Sequence, residues 1–336
     1  MEFTIFINLN FKRLKPLVLI FFLSLFSFAQ NRTDEEIDNL VFQYPNRFSS
    51  TEELAQKIKI DFQTEYERAR AIYVWVTSHV RYDVKRYLKP KKEKPIRCTT
   101  KDECERENQK RKDAIIDRAF RKNLAICSGY SYLYQRIAQQ AGLVVNVEVG
   151  DARNNKFDIG RRRIAISHAW NTVYVNGNWI LLDATWGAGY VDSGEQKFYS
   201  KYNSFYFNTK PTLFFNEHYP ENGEWMGTPI NKRDYLNRVM VPVNEMTQTF
   251  YIAEPQTGVI QRKLGEKVKF VIYDLPVFSS LSYSLKKEGE YSYPEVHKIG
   301  ENCIEFEIII DRNIGRFLHI FIDDVHLATY KIQMHR

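Results

Sequence analysis

Three side chains within residues 125–183 have the types that acyl chemistry needs: Cys127 in Ala-Ile-Cys-Ser-Gly-Tyr, His168 in Ser-His-Ala-Trp-Asn, and Asp183 in Leu-Leu-Asp-Ala-Thr-Trp. A thiol attacks a carbonyl as its thiolate, so it needs a base beside it, and that base needs an acceptor to hold its tautomer and orientation. Taken singly, each residue also has an ordinary structural reading: a small buried cysteine, a satisfied core histidine, an aspartate capping a turn. Only elements that bring the three together turn them into a site.

The surrounding pattern supplies such elements. Tyr130, Leu133, Tyr134, Ile137, Ala138 and Ala141 recur at three- and four-residue steps and stop at Gly142, which predicts a helix with Cys127 at its N-terminus. There the free backbone N–H groups and the positive end of the dipole favour a thiolate, and they suit a developing oxyanion. Residues 164–175 and 179–183 are β-prone runs on either side of Asn176-Gly177, the strongest short-range signal for a two-residue hairpin turn. Counting back from that turn sets Val175 against Asn178 and Trp170 against Asp183, so His168 lies on the face of Asp183, diagonally across. Such neighbours have Cα atoms about 7–8 Å apart, within reach of an imidazole and a carboxylate. A slip of one residue would put the two on opposite faces.

With Cys127-Ser-Gly-Tyr, His168-Ala-Trp-Asn and Asn-Gly-Asn-Trp-Ile-Leu-Leu-Asp183-Ala-Thr-Trp in this order, the chain resembles the transglutaminase-like superfamily of cysteine enzymes. Transglutaminases, peptide N-glycanases and many bacterial peptidases belong to it. The resemblance implies an α+β, papain-like core with Cys127, His168 and Asp183 as a catalytic triad, and amide acyl transfer as the chemistry. Ala125 stands where a glycine is common two residues before the cysteine. Residues 68–77 resemble the helix that precedes the core in bacterial members. Phe214-Phe-Asn-Glu-His218-Tyr-Pro220 followed by Trp225 is similar to the segment after the core in kyphoscoliosis-peptidase-like members. His218 itself is too isolated in the sequence to be read as a ligand.

Residues 1–29 carry Lys12, Arg13 and Lys15, an apolar run over 17–26 and Ser27-Phe28-Ala29, the layout of a secretory signal peptide. The expected location is therefore periplasmic or extracellular. No cysteine follows the cleavage site, so no membrane anchor is expected after cleavage. Ser50 to Glu53 and Thr64 to Glu67 read as capping boxes opening two helices, and on the second Trp75 reads as a core aromatic and His79 as a satisfied histidine. Residues 85–113 are rich in lysine, arginine and glutamate with few apolar positions, which predicts an exposed insertion, helical at its end, with a short helix over 112–123. Cys98 and Cys104 inside it are a plausible local disulfide in an exported protein, the alternative being two unrelated thiols. A buried strand is expected over 143–149 and a polar loop over 150–163, where Arg161-Arg-Arg163 is either a solvated run or a subsite for an acidic substrate. The aromatic-rich tail after Asp183 either lines a substrate groove or wraps the core.

From about residue 237 the pattern changes to short alternating strands around Val268, Phe270 and Ile272, Ile304 to Ile310, and Leu318 to Ile322. This predicts an antiparallel β-sandwich, with the immunoglobulin-like arrangement as a candidate form, over 236–336, after a transglutaminase-like domain over 30–235. Cys303 shares the parity of Glu305 and Glu307, which predicts partial exposure. Across 336 residues the net charge of +7 is modest, and no nucleic-acid motif accompanies it. The seven histidines show no HxH or HExxH spacing, the four cysteines no CxxC, and there is no Gly-rich phosphate loop, so no metal or cofactor is implied. Two function classes follow. One is a cysteine peptidase or amidase acting on a protein or peptide, with transglutaminase-type crosslinking as its variant. The other is a non-catalytic binding module built on the same fold.

Overall fold

The computed structural model describes residues 32–90, 95–192, 194–242, 250–285, 290–310 and 315–334. The expected signal peptide over 1–29 lies outside these residues. Three helices open the described chain, each started by a hydroxyl cap: α1 (Asp34–Phe42) by Thr33, α2 (Thr51–Asp61) by Ser50 and α3 (Glu65–His79) by Thr64. Thr33 and Thr64 form full capping boxes with Glu36 and Glu67. At α2 the box is offset by one residue, because Glu53 reaches back to the N–H of Ser49 at 2.7 Å. The periodicity of α1 is too short to mark a helix in the sequence; only Ile37, Asp38 and Val41 are buried on it. Helix α3 is buried over residues 69–77. Arg70 on it pairs inside the fold with Asp38 at 2.7 Å and Asp34 at 2.6 Å. Trp75 is buried and stacks on His79 at 4.7 Å, and the half-buried His79 has its Nδ1 2.9 Å from the Trp75 carbonyl, so the tryptophan is a core residue and the histidine a satisfied one, as expected.

The charged segment differs from its expectation. It holds one long helix, α4 (Lys101–Lys122), rather than a loop ending in a short helix from residue 112. Thr100 caps it, and Glu103 returns to the N–H of Thr99 at 2.7 Å. Only Ile116 and Ala119 are buried on this helix, too few to show a periodic stripe in the sequence. Its far half packs on α5 (Cys127–Gln140), with Asp113 held by Arg136 and Lys112 by Gln135. Cys98 and Cys104 are joined in a disulfide, with Cα atoms 5.2 Å apart, tying the incoming chain to the first turn of α4. Asn123, at a positive φ of 49°, ends the helix and turns the chain toward Cys127.

Helix α5 packs on a four-stranded antiparallel sheet of order β3-β2-β1-β4, where β1 is Val144–Ala152, β2 His168–Val175, β3 Asn178–Leu182 and β4 His218–Pro220. The hairpin register runs from Val175↔Asn178 to Asn171↔Leu182, as the turn count requires. Asn176 and Gly177 both have positive φ, the combination a type I′ turn needs. Strand β1 runs past residue 149 into the stretch expected to be loop, because β4 pairs with Gly150, Asp151 and Ala152. A side chain at Gly150 would meet the Tyr219 carbonyl at 2.2 Å and the Trp170 ring at 2.6 Å, so only glycine lets these strands close up.

The C-terminal strands form two four-stranded sheets over one shared apolar core. The first has the order β5-β7-β10-β9, with β5 Tyr251–Glu254, β7 Lys267–Tyr273, β9 Val296–Gly300 and β10 Cys303–Ile309. The second has the order β6-β12-β11-β8, with β6 Val259–Arg262, β8 Leu281–Ser284, β11 Phe317–Ile322 and β12 Val325–Met334. Alternation puts Val268, Phe270 and Ile272, then Ile304, Phe306 and Ile308, inward, and Phe270 stacks on Phe306 at 5.0 Å. The pairing of β6 with β12 is parallel, so the sandwich is not wholly antiparallel. Cys303 is buried rather than partly exposed. It sits where the register of the β9–β10 pair shifts, and the chain at Leu275 bonds to the Asn302 carbonyl at 3.2 Å, covering that end of the sheet.

Candidate active site

Cys127 is the first residue of α5, after Ile126, whose side chain makes no capping bond. The helix end therefore offers its N–H groups beside a half-buried sulfur, which lies 3.9 Å from the Ser167 carbonyl. His168 opens β2 directly after that carbonyl, and its imidazole hydrogen bonds Asp183 and lies close enough to the Cys127 sulfur for each to act on the other's charge. Nε2 is the nitrogen on Asp183, 2.6 Å from Oδ2, which leaves Nδ1 for the sulfur.

Asp183 follows the last residue of β3 and is fully buried. Its two oxygens have separate partners. Oδ1 accepts the backbone N–H groups of Thr185 at 2.8 Å and Trp186 at 3.1 Å, capping the short helical turn Ala184–Gly187. Oδ2 accepts His168 and also the Nε2 of His218 at 3.0 Å. This aspartate thus caps a turn through one oxygen and meets two imidazoles through the other.

His218 is the residue sequence reasoning missed. It reaches Asp183 because Ala152 pairs with it across β1 and β4, a contact 35 residues from Asp183 that no local periodicity encodes. The ring stacks on Phe214 with centroids 4.0 Å apart and lies 4.5 Å from Trp186 and 5.1 Å from Trp170. The aromatic tail therefore wraps the core, with Phe214 and Phe215 packed against Trp170 and Leu181. Trp179, Trp225 and Met226 also edge a cleft of about 230 Å³ on the outer face of the sheet.

The charges follow from these contacts. Burial alone pushes the His168 imidazole down; the Asp183 carboxylate and the Cys127 sulfur outweigh it and lift the pKa to about 10. Burial pushes Asp183 up, while His168 and then His218 more than offset this and hold it well below the usual carboxylate range. Burial pushes His218 down. The ligand atoms of His168, Asp183 and His218 lie within 4.8 Å of one another, close enough to suggest a metal. Both imidazole nitrogens, however, are directed at the same carboxylate oxygen at hydrogen-bond length, whereas a bound zinc would stand about 2 Å from each donor. Arg161 turns inward to the buried Asp151 and to Asp158, so it is not available to an acidic substrate, while Arg162 and Arg163 are exposed.

Residues 52–184, spanning all three of these elements, match the Transglutaminase-like superfamily. They form a transglutaminase-like core. The chain is 30% identical over 221 residues to the kyphoscoliosis peptidase of Homo sapiens, covering 65% of this chain and 31% of that protein. It is 28% identical over 122 residues to Hillarin of Drosophila melanogaster, covering 32% of this chain and 15% of that protein. The chain thus spans less than a third of the length of these curated relatives. A solved transglutaminase structure is similar over 57% of this chain and 42% of its own, at 19% identity and a TM-score of 0.29.

Proposed function

We propose that this transglutaminase-like core is a cysteine-dependent acyl-transfer enzyme acting on amides, with Cys127 as nucleophile, His168 as general base and acid, and Asp183 as the group that orients the imidazole. The observation that carries the reading is one imidazole bonded to a buried carboxylate at 2.6 Å and set beside a thiol at a helix N-terminus. His168 takes the thiol proton, and the thiolate attacks the amide carbonyl. The Cys127 backbone N–H helps hold the oxyanion. As the C–N bond breaks, His168 returns the proton to the leaving amine, leaving a thioester. Water then releases an acid, or an amine forms a new amide.

Hydrolysis of a protein or peptide is the favoured outcome, and crosslinking is the variant. The Cys98–Cys104 disulfide supports work in an oxidising space outside the cytoplasm. Among the described residues no helix is long and apolar enough to cross a membrane.

The deciding experiment measures the alkylation rate of Cys127 by iodoacetamide, in the unmodified protein and in His168→Ala. A rate well above that of a free thiol, lost in the variant, is expected. An ordinary rate in both would leave a non-catalytic binding module. Amide turnover lost in a folded Cys127→Ala variant, with product assays for free acid against crosslinked amine, then separates hydrolysis from transamidation.

A further inference from the structure

The carboxylate of Asp183 has two imidazoles on one oxygen, and the acyl-transfer chemistry above uses only one of them. We propose that His218 is a positioning residue of the site: its Nε2–H holds Asp183 Oδ2 in place so that the carboxylate can orient His168, a role that rests on the reading of Cys127, His168 and Asp183 given above.

Four donors surround the carboxylate, the N–H groups of Thr185 and Trp186 on Oδ1 and the two histidines on Oδ2. A carboxylate has about four lone-pair sites, so this set fills it and leaves no free rotation. The consequence appears during turnover. When His168 gives its proton to the leaving amine it loses its charge, and a buried carboxylate held by His168 alone would then be poorly compensated. His218 and the two backbone N–H groups keep Asp183 ionised through that step.

The environment of His218 fits a donor rather than a second base. Its Nδ1 lies 3.2 Å from the carbonyl of Phe214, and its Nε2 lies 3.0 Å from a charged oxygen. The charged and nearer acceptor determines where the proton sits, which is Nε2. Burial among Phe214, Trp170 and Trp186 keeps the ring neutral near pH 7, so it supplies a hydrogen bond without competing with the His168 charge. Acidification adds a proton at Nδ1, facing the Phe214 carbonyl, and leaves the bond to Asp183 intact. The other titratable groups nearby are His168 and Cys127 beyond Asp183, and Glu217, whose carboxyl oxygen accepts the Tyr206 hydroxyl.

The test follows the pH profile of Cys127 alkylation by iodoacetamide in the full chain, a readout that needs no amide substrate. In His218→Phe, which keeps the stack on Phe214, the rate near about pH 6 should fall roughly tenfold and the profile should move toward that of an ordinary thiol. His218→Gln, which can restore an N–H donor, should recover most of the loss. A folded Phe variant with the unchanged profile overturns the proposal, because a merely structural histidine would behave so. A wild-type Cys127 no more reactive than a free thiol overturns the triad reading and this role together. Should the Phe variant not fold, the ring-nitrogen NMR spectrum of the unmodified protein decides: a neutral His218 protonated at Nε2 is expected, and one protonated at Nδ1 overturns it.

Discussion

Asp183 caps a turn with one oxygen and meets two histidines with the other, so its substitutions separate two effects. Asp183→Asn keeps the capping oxygen but points an amide N–H at two imidazole N–H groups. Amide turnover should fall by about 10- to 1,000-fold, less than the roughly 10,000-fold of a serine triad, because a thiol gives up its proton more readily than a hydroxyl and depends less on an oriented base. Asp183→Ala also loses the cap and strands two buried imidazoles, and chemical denaturation should show about 3–5 kcal/mol lost. Full activity in the Asn variant would refute the orienting role. Glu217 gives a pH prediction. Burial and the Asp183 charge push it up to about 8, against the lowering effect of the Tyr206 bond. Between the ordinary carboxylate value of 4.5 and about 8 the folded protein keeps a proton that the unfolded chain has lost, so this group makes stability fall as pH rises. In Glu217→Gln that part of the slope should vanish from denaturation curves taken across the window, and equal slopes would sink the assignment. At this scale His168 and Asp183 were legible because a two-residue turn fixes their parity by counting. His218 was not, since its place depends on a strand pairing between distant segments.

Among the elements, helix α4 shows where sequence patterning fails. Its caps, Thr100 with Glu103 at one end and Asn123 at the other, were written in the sequence, but a helix that buries two residues leaves almost no periodicity to read. The hairpin and α5 were legible for the opposite reason, since each buries a continuous face. The same elements sort the four cysteines into three behaviours. In native protein iodoacetamide should label Cys127 alone. Cys303, under the Leu275 chain, should react only on unfolding, and Cys98 with Cys104 only after reduction. Mass mapping of the labelled peptides checks this, and native labelling of Cys303 would mean that the end of β10 opens. Reduction of Cys98–Cys104 should cost no more than about 2 kcal/mol, because the loop it closes is short.

On the scale of the whole molecule, the chain between β1 and β2 joins the core to the sandwich just before it delivers His168. Arg153 is buried there with its guanidinium on the carbonyls of Tyr235 at 2.5 Å and Arg238 at 2.8 Å. Phe157 meets Phe317 edge-on at 5.3 Å, and Lys331 donates to the Ile159 carbonyl at 3.0 Å. The sandwich therefore steadies the loop that leads to His168. Arg153→Ala should leave both carbonyls unpaired at about 1–3 kcal/mol each. It should also split a single thermal transition into two, with Cys127 alkylation slowed well below the lower one. A single unshifted transition by calorimetry would show that the junction carries no stability. None of this was visible in the sequence, where residues 150–163 read as a polar loop containing Arg161-Arg-Arg163.

Helix α4 also has a consequence for how the protein reaches its oxidised form. A chain that emerges N-terminus first presents Cys98 and Cys104 before Cys127, and their separation of six residues favours their encounter several-fold over the longer loop from Cys104 to Cys127. Once α4 forms it acts as a rigid spacer. Ala119 lies against Gly129 near the start of α5, and fifteen residues of helix back toward Cys104 span about 22 Å. The two bridged sulfurs and the free Cys127 are thus kept at opposite ends of a rod, and the order of synthesis together with the length of one helix favours a disulfide that leaves Cys127 out.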